Sequence, residues 1–450
     1  MKVLLLSSPC SENNNPVFPL GLAYIASKIR GHEVHVFDPN TAGNPSNEAT
    51  RLVRKIEPDV IGISLRNIDI LYPDSGIDVY RNISTLSDLS GFVKEAKRIS
   101  PMSKIVVGGP GFTLFAREIM GTMKEIDIGI RGEGEISFPG YLESMKTPGR
   151  VRGLYVRKGG EIMYTGKPET VDMDSLEFPE DLGFIDIGRY KNREVGIQTK
   201  RGCRFRCIYC IYPLIEGKQI RMRSPRKVAD EIENIHNQLG TRNIFFTDSV
   251  FNIPQYHAKK VCEEIRNRKL DIKFNAYLRP DYVDSFFVKE LIKSGHSKNL
   301  LYSFDALSQR VLNRLKKDLS MRTILDSCRL AKKFDMGIVS SVFSDVSFER
   351  PLTALETLKN MIKIAAIIRN PRKLCFRFPN IRIYPKTPIH TEAVNKGILK
   401  GNENLLYPLF YKKSLYGKLA SSAPRFYKFN LSRTGQFSLL RLGDKAHATS

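Results

Sequence analysis

The chain has 450 residues, of which 42% are hydrophobic and 26% charged, and its formal net charge is +24. That length allows two to three domains with full cores. The lack of any run of about 18 apolar residues excludes a transmembrane helix. The apolar start, Met1 to Pro9, is too short for a signal peptide and reads as a buried first strand.

The charge is unevenly placed. Residues 1–190 carry 22 Lys and Arg against 25 Asp and Glu, net −3, whereas residues 191–450 carry 49 against 22, net +27. A basic excess confined to one half favours an anionic partner, such as a phosphorylated substrate, an acidic pigment, a lipid headgroup or RNA, or else it is surface lysine serving as filler.

In chain order, Val3–Leu6 is an apolar strand, residues 19–30 have helical spacing of apolar positions, and Gly31 ends that helix before a strand at Val34–Asp38. A helix over 47–56 is followed by strands at Val60–Ser64 and Lys104–Pro110, and by a short glycine-rich one at Asp127–Glu135. Continuous Val/Ile runs separated by helices predict an α/β fold with a parallel sheet covered on both faces, whose ligands sit at the C-terminal strand ends. Lys158-Gly159-Gly160 between two short strand patterns signals a hairpin, and a stretch rich in Pro, Asp and Glu over 168–181 links onward.

Strand–helix alternation resumes with Val195–Thr199. Ser224-Pro225 opens a helix that runs to about Leu239. Further strands are expected at Asn243–Thr247, Lys273–Tyr277, Leu300–Phe304, Gly337–Val342 and Arg377–Ile383. Six strands with intervening helices predict a partial parallel barrel. The last fifty residues are aromatic and basic, for example Leu405–Lys413 and Arg425–Phe429, and read as a helix packed on the barrel or as an amphipathic cap over a greasy, anionic substrate or a membrane surface.

The first barrel strand delivers Cys203, Cys207 and Cys210, spaced C-x-x-x-C-x-x-C. Three thiolates on one short loop can hold three irons of a 4Fe–4S cube and leave the fourth iron open. Zinc is the competing reading, but it usually takes paired C-x-x-C units or a nearby histidine, and the nearest downstream histidine is His236. Cys10, Cys262, Cys328 and Cys375 are scattered and read as reduced, buried residues of a cytoplasmic protein.

This cysteine pattern, with the aromatic Tyr209 before the last cysteine, resembles the signature of the radical S-adenosylmethionine (radical SAM) superfamily. The resemblance implies that SAM chelates the open iron and is split on reduction to methionine and a 5′-deoxyadenosyl radical. The upstream series Pro19-Leu20-Gly21-Leu22-Ala23-Tyr24, Pro58–Ser64, Gly108-Gly109-Pro110 and Gly132-Glu133-Gly134-Glu135 is similar to the cobalamin-binding domain that precedes many radical SAM domains. Together these place the chain with class B-type radical SAM methylases and relatives. The organisation expected is a Rossmann-like, doubly wound domain over 1–150, a connector with a hairpin over 151–190, a partial (β/α)6 TIM-type barrel over 191–395, and a basic, aromatic extension over 396–450.

The resemblance also assigns residues. Ser64, Gly108, Gly109, Gly111, Thr113, Gly132, Glu133, Gly134 and Glu135 would form the cobalamin-side loops. Thr247, Asp248 and Ser249 would offer oxygens to the SAM ammonium, and Arg279 would reach its carboxylate or an anionic substrate. Ser303 and Asp305 would face the ribose, with Asp305 at an acidic family position. A D-x-H-x-x-G motif for a lower cobalt ligand is absent, and His32 and His35 read as structural.

The activity implied is C-methylation at an unactivated carbon of an anionic or lipophilic substrate. One SAM would methylate cobalamin, and a second would yield the radical that activates the substrate. A non-methylating member such as an anaerobic cyclase is the rival. A methylthiotransferase is disfavoured, because there is no N-terminal cysteine triad and no evident C-terminal RNA-binding barrel. An iron–sulfur, RNA-binding regulator is allowed by the basic half and opposed by the open cluster position. Expected partners are an electron donor such as flavodoxin or ferredoxin and a small or lipid-like substrate, with peripheral membrane contact considered and nucleic acid not expected.

Overall fold

The computed structural model describes residues 1–11, 17–66, 68, 84–179, 187–190, 193–343, 346 and 348–411. Its N-terminal half is built on strands β1 (Lys2–Ser7), β2 (Glu33–Phe37), β3 (Val60–Ser64), β4 (Lys104–Gly108) and β5 (Ile128–Ile130), followed by β6 (Leu154–Lys158) and β7 (Glu161–Tyr164). They form one sheet in the order β2-β1-β3-β4-β5-β6-β7. The first five pair in parallel and the last two join antiparallel at the edge. The hairpin expected as a connector is therefore the edge of this sheet. Val3 to Leu6 and Val60 to Ile63 are buried without alternation, as strands covered on both faces must be. The chain runs from β1 outward to β2 and then returns to β3 on the other side, so the switch point lies between β1 and β3.

The second half contains β8 (Val195–Ile197), the two-residue pair β9 (Lys200–Arg201) and β10 (Arg221–Met222), then β11 (Asn243–Phe246), β12 (Lys273–Leu278), β13 (Asn299–Asp305), β14 (Gly337–Val342) and β15 (Leu374–Arg377). Six of these form an all-parallel sheet in the order β15-β14-β13-β12-β11-β8, which is the partial barrel. The helix Pro225–Leu239 begins as its sequence dictates. The Ser224 side chain accepts from Lys227 N, Pro225 occupies the first turn, and Gly240 closes the helix in the left-handed region.

Two expectations need correction. The sixth barrel strand is Leu374–Arg377, not Arg377–Ile383. Pro379 has no N–H to give to a ladder, so the strand stops short of it, and only an isolated bridge from Arg382 to Phe410 follows. The described part of the C-terminal extension is not a helix. Leu405, Leu406 and Tyr411 are buried against the barrel, and Tyr411 donates to the Ile389 carbonyl at 3.0 Å. Lys412, Lys413 and Arg425–Phe429 lie outside the described residues. Among the described residues, no helix is long and apolar enough to cross a membrane.

The two halves are joined by buried polar contacts. Arg223 pairs with Glu231 at 2.5 Å, and Tyr24 from the first half donates to the same carboxylate at 2.7 Å. Arg223 and Glu231 are 2% and 3% exposed. Replacing Arg223 by Met strands a buried carboxylate and is expected to cost about 3–5 kcal/mol in a denaturation experiment. Replacing Glu231 by Leu as well should recover most of that loss.

Candidate active site

The cysteine loop leaves the C-terminal end of β8 and is held at every turn. Gly202, at φ +97°, begins it, and a Cβ there would lie 2.0 Å from the Gln219 carbonyl oxygen, so no other residue fits. Gly202 N donates to Glu216 Oε2 at 3.0 Å, Cys203 N to the Gly217 carbonyl at 3.1 Å, and Ile208 N to the Leu315 carbonyl at 3.1 Å. The helix Pro388–Asn395 docks on the same loop through Ile389 N and the Ile208 carbonyl, at 3.1 Å.

Cys203 is buried, Cys207 and Cys210 are partly so, and none is in a disulfide. Burial pushes the Cys210 thiol up to about 12 and raises that of Cys207. Thiols in such a site ionise when a metal compensates the charge, and binding then releases protons. Among the described residues, no three Cys, His, Asp or Glu side chains converge on a single ion. A cube takes one thiolate per iron and needs no such convergence. Three free thiols, one buried and two partly buried, on a pinned loop at the barrel mouth therefore fit the cluster.

Asp248 is turned into the protein. It is 1% exposed, and its carboxylate accepts from Thr199 N at 2.8 Å, Thr199 Oγ1 at 2.5 Å, Lys200 N at 3.2 Å and Lys200 Nζ at 2.9 Å. It fixes the start of the cysteine loop. Thr247 and Ser249 are partly exposed at the strand end, and their hydroxyls donate weakly to the carbonyls of Ile197 (3.3 Å) and Gly202 (3.4 Å). Arg279 is buried rather than available. It pairs with Asp281 at 2.8 Å, donates to the carbonyls of Lys317 and Asp318, and lies 3.9 Å over the Phe205 ring.

Tyr209 is tied to the fourth strand. Its hydroxyl donates to Asp305 Oδ2, and its ring meets Phe343 edge-on at 4.8 Å. Asp305 sits at a register shift in β13 with φ +64°, which turns its side chain back toward the cysteine loop. Oδ2 is taken by Tyr209 and Lys317, whereas Oδ1 has no hydrogen bond among the described residues. Ser303, two residues earlier, is partly exposed.

On the other sheet, the switch point is lined by small residues. Ser8 N donates to the Ser64 carbonyl at 2.9 Å, and Ser8 Oγ is buried with no partner among the described residues. Gly109 and Gly111 let the next loop close on Leu65, where a Cβ would lie 2.7 Å and 3.0 Å from its carbonyl oxygen. Thr113 Oγ1 accepts from Gly132 N at 3.0 Å, and Gly108 makes only ordinary contact with Ile130. Gly109, Gly111, Thr113 and Gly132 thus hold the strand ends to one another. Ser8, Ser64 and Gly108 are left at the switch-point strand ends, where ligands of such sheets sit, and their small side chains suit the approach of a flat ring or a nucleotide tail, so the residues present fit cobalamin.

Glu133 and Glu135 point across to the barrel. Arg221 grips Glu133 with both terminal nitrogens, and Arg201 reaches Glu133 at 3.4 Å and Glu135 at 2.6 Å. Burial would raise the Glu133 carboxyl, but the two guanidinium groups outweigh it and hold it below the usual range. Gly134 is pressed on Ile25, with a Cβ position 2.9 Å from its methyl group. Sequence alone missed Ser8, Arg201, Arg221, Glu216 and Lys317. The alternation Arg221-Met222-Arg223 and the Lys200-Arg201 pair before Gly202 were the available signals.

An all-parallel partial barrel presents three free thiols on its first loop and is locked to a Rossmann-like sheet whose switch point is lined by small residues, an arrangement that offers a cofactor site on each sheet. The B12 binding domain model matches residues 11–142, and the radical SAM superfamily model matches residues 197–363. The chain therefore carries both a B12 binding domain and a radical SAM domain, and the cofactors these imply are a 4Fe–4S cluster, SAM and cobalamin. It is 26% identical to an uncharacterized methyltransferase of Pyrococcus horikoshii, over 89% of this chain and 84% of that one. It is 24% identical to the anaerobic magnesium-protoporphyrin IX monomethyl ester cyclase of Cereibacter sphaeroides, over 76% of this chain and 56% of that one. The fold is similar to that of the radical S-adenosylmethionine methyltransferase TsrM from Kitasatospora setae, solved with cobalamin and a [4Fe-4S] cluster bound. The TM-score is 0.75 at 18% identity, covering 88% of this chain and 78% of that one.

Two outcomes follow from the loop geometry. Gly202→Ala is expected to cost about 1–3 kcal/mol through backbone strain alone, and to leave bound iron well below wild type after anaerobic reconstitution. Burial pushes the Glu216 carboxyl from 4.5 up to about 7, against the Gly202 hydrogen bond and the charge of Arg201. The folded state holds this proton more tightly than the unfolded chain. The stability Glu216 contributes is therefore full below pH 4.5 and is lost as pH rises through 7, by at most about 3 kcal/mol. Thermal melts of the metal-free protein from pH 5 to 7.5 should show this decline, and Glu216→Gln should flatten it.

Proposed function

We propose that this enzyme is a cobalamin-dependent radical SAM C-methyltransferase acting at an unactivated carbon of an anionic or lipophilic substrate. The observation that carries the reading is the buried contact of Glu133 and Glu135 with Arg201 and Arg221, which ties the cobalamin-side loop to the strand that delivers the cysteine loop. Two cofactors held in one fixed relation suit a reaction in which both act on the same carbon. When bound, the cluster and SAM supply a 5′-deoxyadenosyl radical for hydrogen abstraction, and cobalamin supplies the methyl group.

The protein's own part is positioning. Cys203, Cys207 and Cys210 would hold the cluster, and Asp305 Oδ1, which has no hydrogen bond among the described residues, can accept from the ribose hydroxyls of SAM. Thr247 and Ser249 border the same strand ends and can offer oxygens to its ammonium. Ser8, Ser64 and Gly108 border the switch point, where cobalamin would sit. Basic residues at the barrel surface suit an acidic electron donor such as flavodoxin, and the same charge suits an anionic substrate or a lipid surface.

The cyclase of Cereibacter sphaeroides supports a second reading, a radical step without methyl transfer. Anaerobic reconstitution with iron, sulfide and hydroxocobalamin, followed by desalting and reduction in the presence of SAM, tests the proposal. Bound cobalamin in equal amount to protein, together with 5′-deoxyadenosine formation, is the expected result. The triple Cys203→Ala, Cys207→Ala, Cys210→Ala variant should form none. Deoxyadenosine without bound cobalamin would sink the methylation mechanism.

A further inference from the structure

The cysteine loop has an aromatic residue in each of its gaps, Phe205 before Cys207 and Tyr209 before Cys210. Both are gripped by one short segment after the fourth barrel strand. Leu315 accepts from Ile208 N at 3.1 Å. The carbonyls of Lys317 and Asp318 accept from Arg279 at 2.8 Å and 2.6 Å, and that guanidinium covers Phe205. Lys317 Nζ pairs with Asp305 Oδ2 and lies 3.4 Å from the Tyr209 hydroxyl.

The backbone is bent to make this possible. Lys316 and Asp318 have φ of +50° and +52°, and Asp305 has +64°. Left-handed conformations of such residues cost about 1 kcal/mol or more each and persist only where the surroundings enforce them. Lys317 and Asp305 are 6% and 4% exposed. A lysine so buried needs its carboxylate partner, and the carboxylate needs the lysine.

We infer that Lys317 is a positioning residue: its ammonium fixes Asp305 and Tyr209 together, so that Oδ1 of Asp305 and the cysteine loop keep one register for SAM on the cluster. Without the ammonium, Asp305 is an unpaired buried charge free to rotate, and the Tyr209 end of the loop loses its anchor. Arginine can keep the charge and the contact to the carboxylate, whereas methionine keeps only the stem. The inference rests on the radical SAM assignment and not on methylation.

The test uses the full chain, reconstituted anaerobically with iron and sulfide and reduced, with SAM itself as the probe. The readouts are iron per chain, the electron paramagnetic resonance spectrum of the reduced cluster with and without SAM, and the SAM dissociation constant. Lys317→Met should load iron yet lose the SAM-dependent spectral change, with SAM affinity weakened at least about tenfold, the scale of losing one charge-assisted contact. Lys317→Arg should restore most of the response. Asp305→Asn should reproduce the loss, and the double variant should be no worse than either single one, because the two act as a unit. Wild-type SAM response in Lys317→Met, no rescue by arginine, or additive losses in the double variant would overturn the inference. If Lys317→Met does not fold, Asp305→Asn decides, and a wild-type response there overturns it. A wild-type cluster that itself ignores SAM would overturn the radical SAM reading and this inference with it.

Discussion

The structure depends on one buried cluster of charge, in which Glu133 and Glu135 of the first half meet Arg201 and Arg221 of the second. These side chains are 6–16% exposed, so the pairs are largely removed from water. Desolvation of four charged groups offsets much of their mutual attraction, and such a cluster adds little net stability. Its effect is geometric, because the pairs can be satisfied in one arrangement only. Arg201 lies immediately before Gly202, and Glu133 lies immediately after Gly132 at the end of β5. A single set of contacts therefore joins the last turn of one cofactor loop to the first turn of the other.

That constraint changes how the chain's charge is understood. The net +27 of residues 191–450 reads, in sequence, as an outward-facing excess. Part of it faces inward. Arg201 and Arg221 are spent on Glu133 and Glu135 of the first half, whereas the buried pairs Lys200–Asp248, Arg223–Glu231, Arg279–Asp281 and Lys317–Asp305 lie within the basic half and leave its net charge unchanged. Arg382 is also buried, donating to the carbonyls of Leu405 and Leu406 and stacking on Tyr384 at 4.5 Å. These cations assemble the barrel mouth and its junction with the first sheet, and only the remainder of the excess is available to a partner.

The fold was legible in sequence because its signals are local. Buried parallel strands appear as Val/Ile runs, the Ser224-Pro225 start and Gly240 stop of one helix are written in adjacent residues, and the three cysteines sit within eight positions. The sixth strand was misplaced because apolar residues continue past its end, and Pro379 sets the limit. The roles of polar residues were far less legible. Asp248 and Arg279 stand at strand ends where ligand contacts are expected, yet Asp248 is consumed by Thr199 and Lys200, and Arg279 by the adjacent Asp281 together with the distant carbonyls of Lys317 and Asp318. Glu133 and Glu135 sit in a motif that suggests a cofactor loop, but their carboxylates answer to arginines 66 to 88 residues away. Spacing along the chain carries no information about such partners. Ser8 illustrates the converse, since an unremarked serine after the first strand proves to hold a buried hydroxyl at the switch point with no partner among the described residues.

On this reading the Glu133, Glu135, Arg201 and Arg221 contacts set the distance between cobalamin and the cluster. Pulsed electron paramagnetic resonance between cob(II)alamin and the reduced cluster, in protein carrying both, measures that relation directly. One narrow distance distribution is expected in the wild-type protein and a broadened or displaced one in the Glu133→Gln, Glu135→Gln double variant. An unchanged narrow distribution in that variant would contradict it.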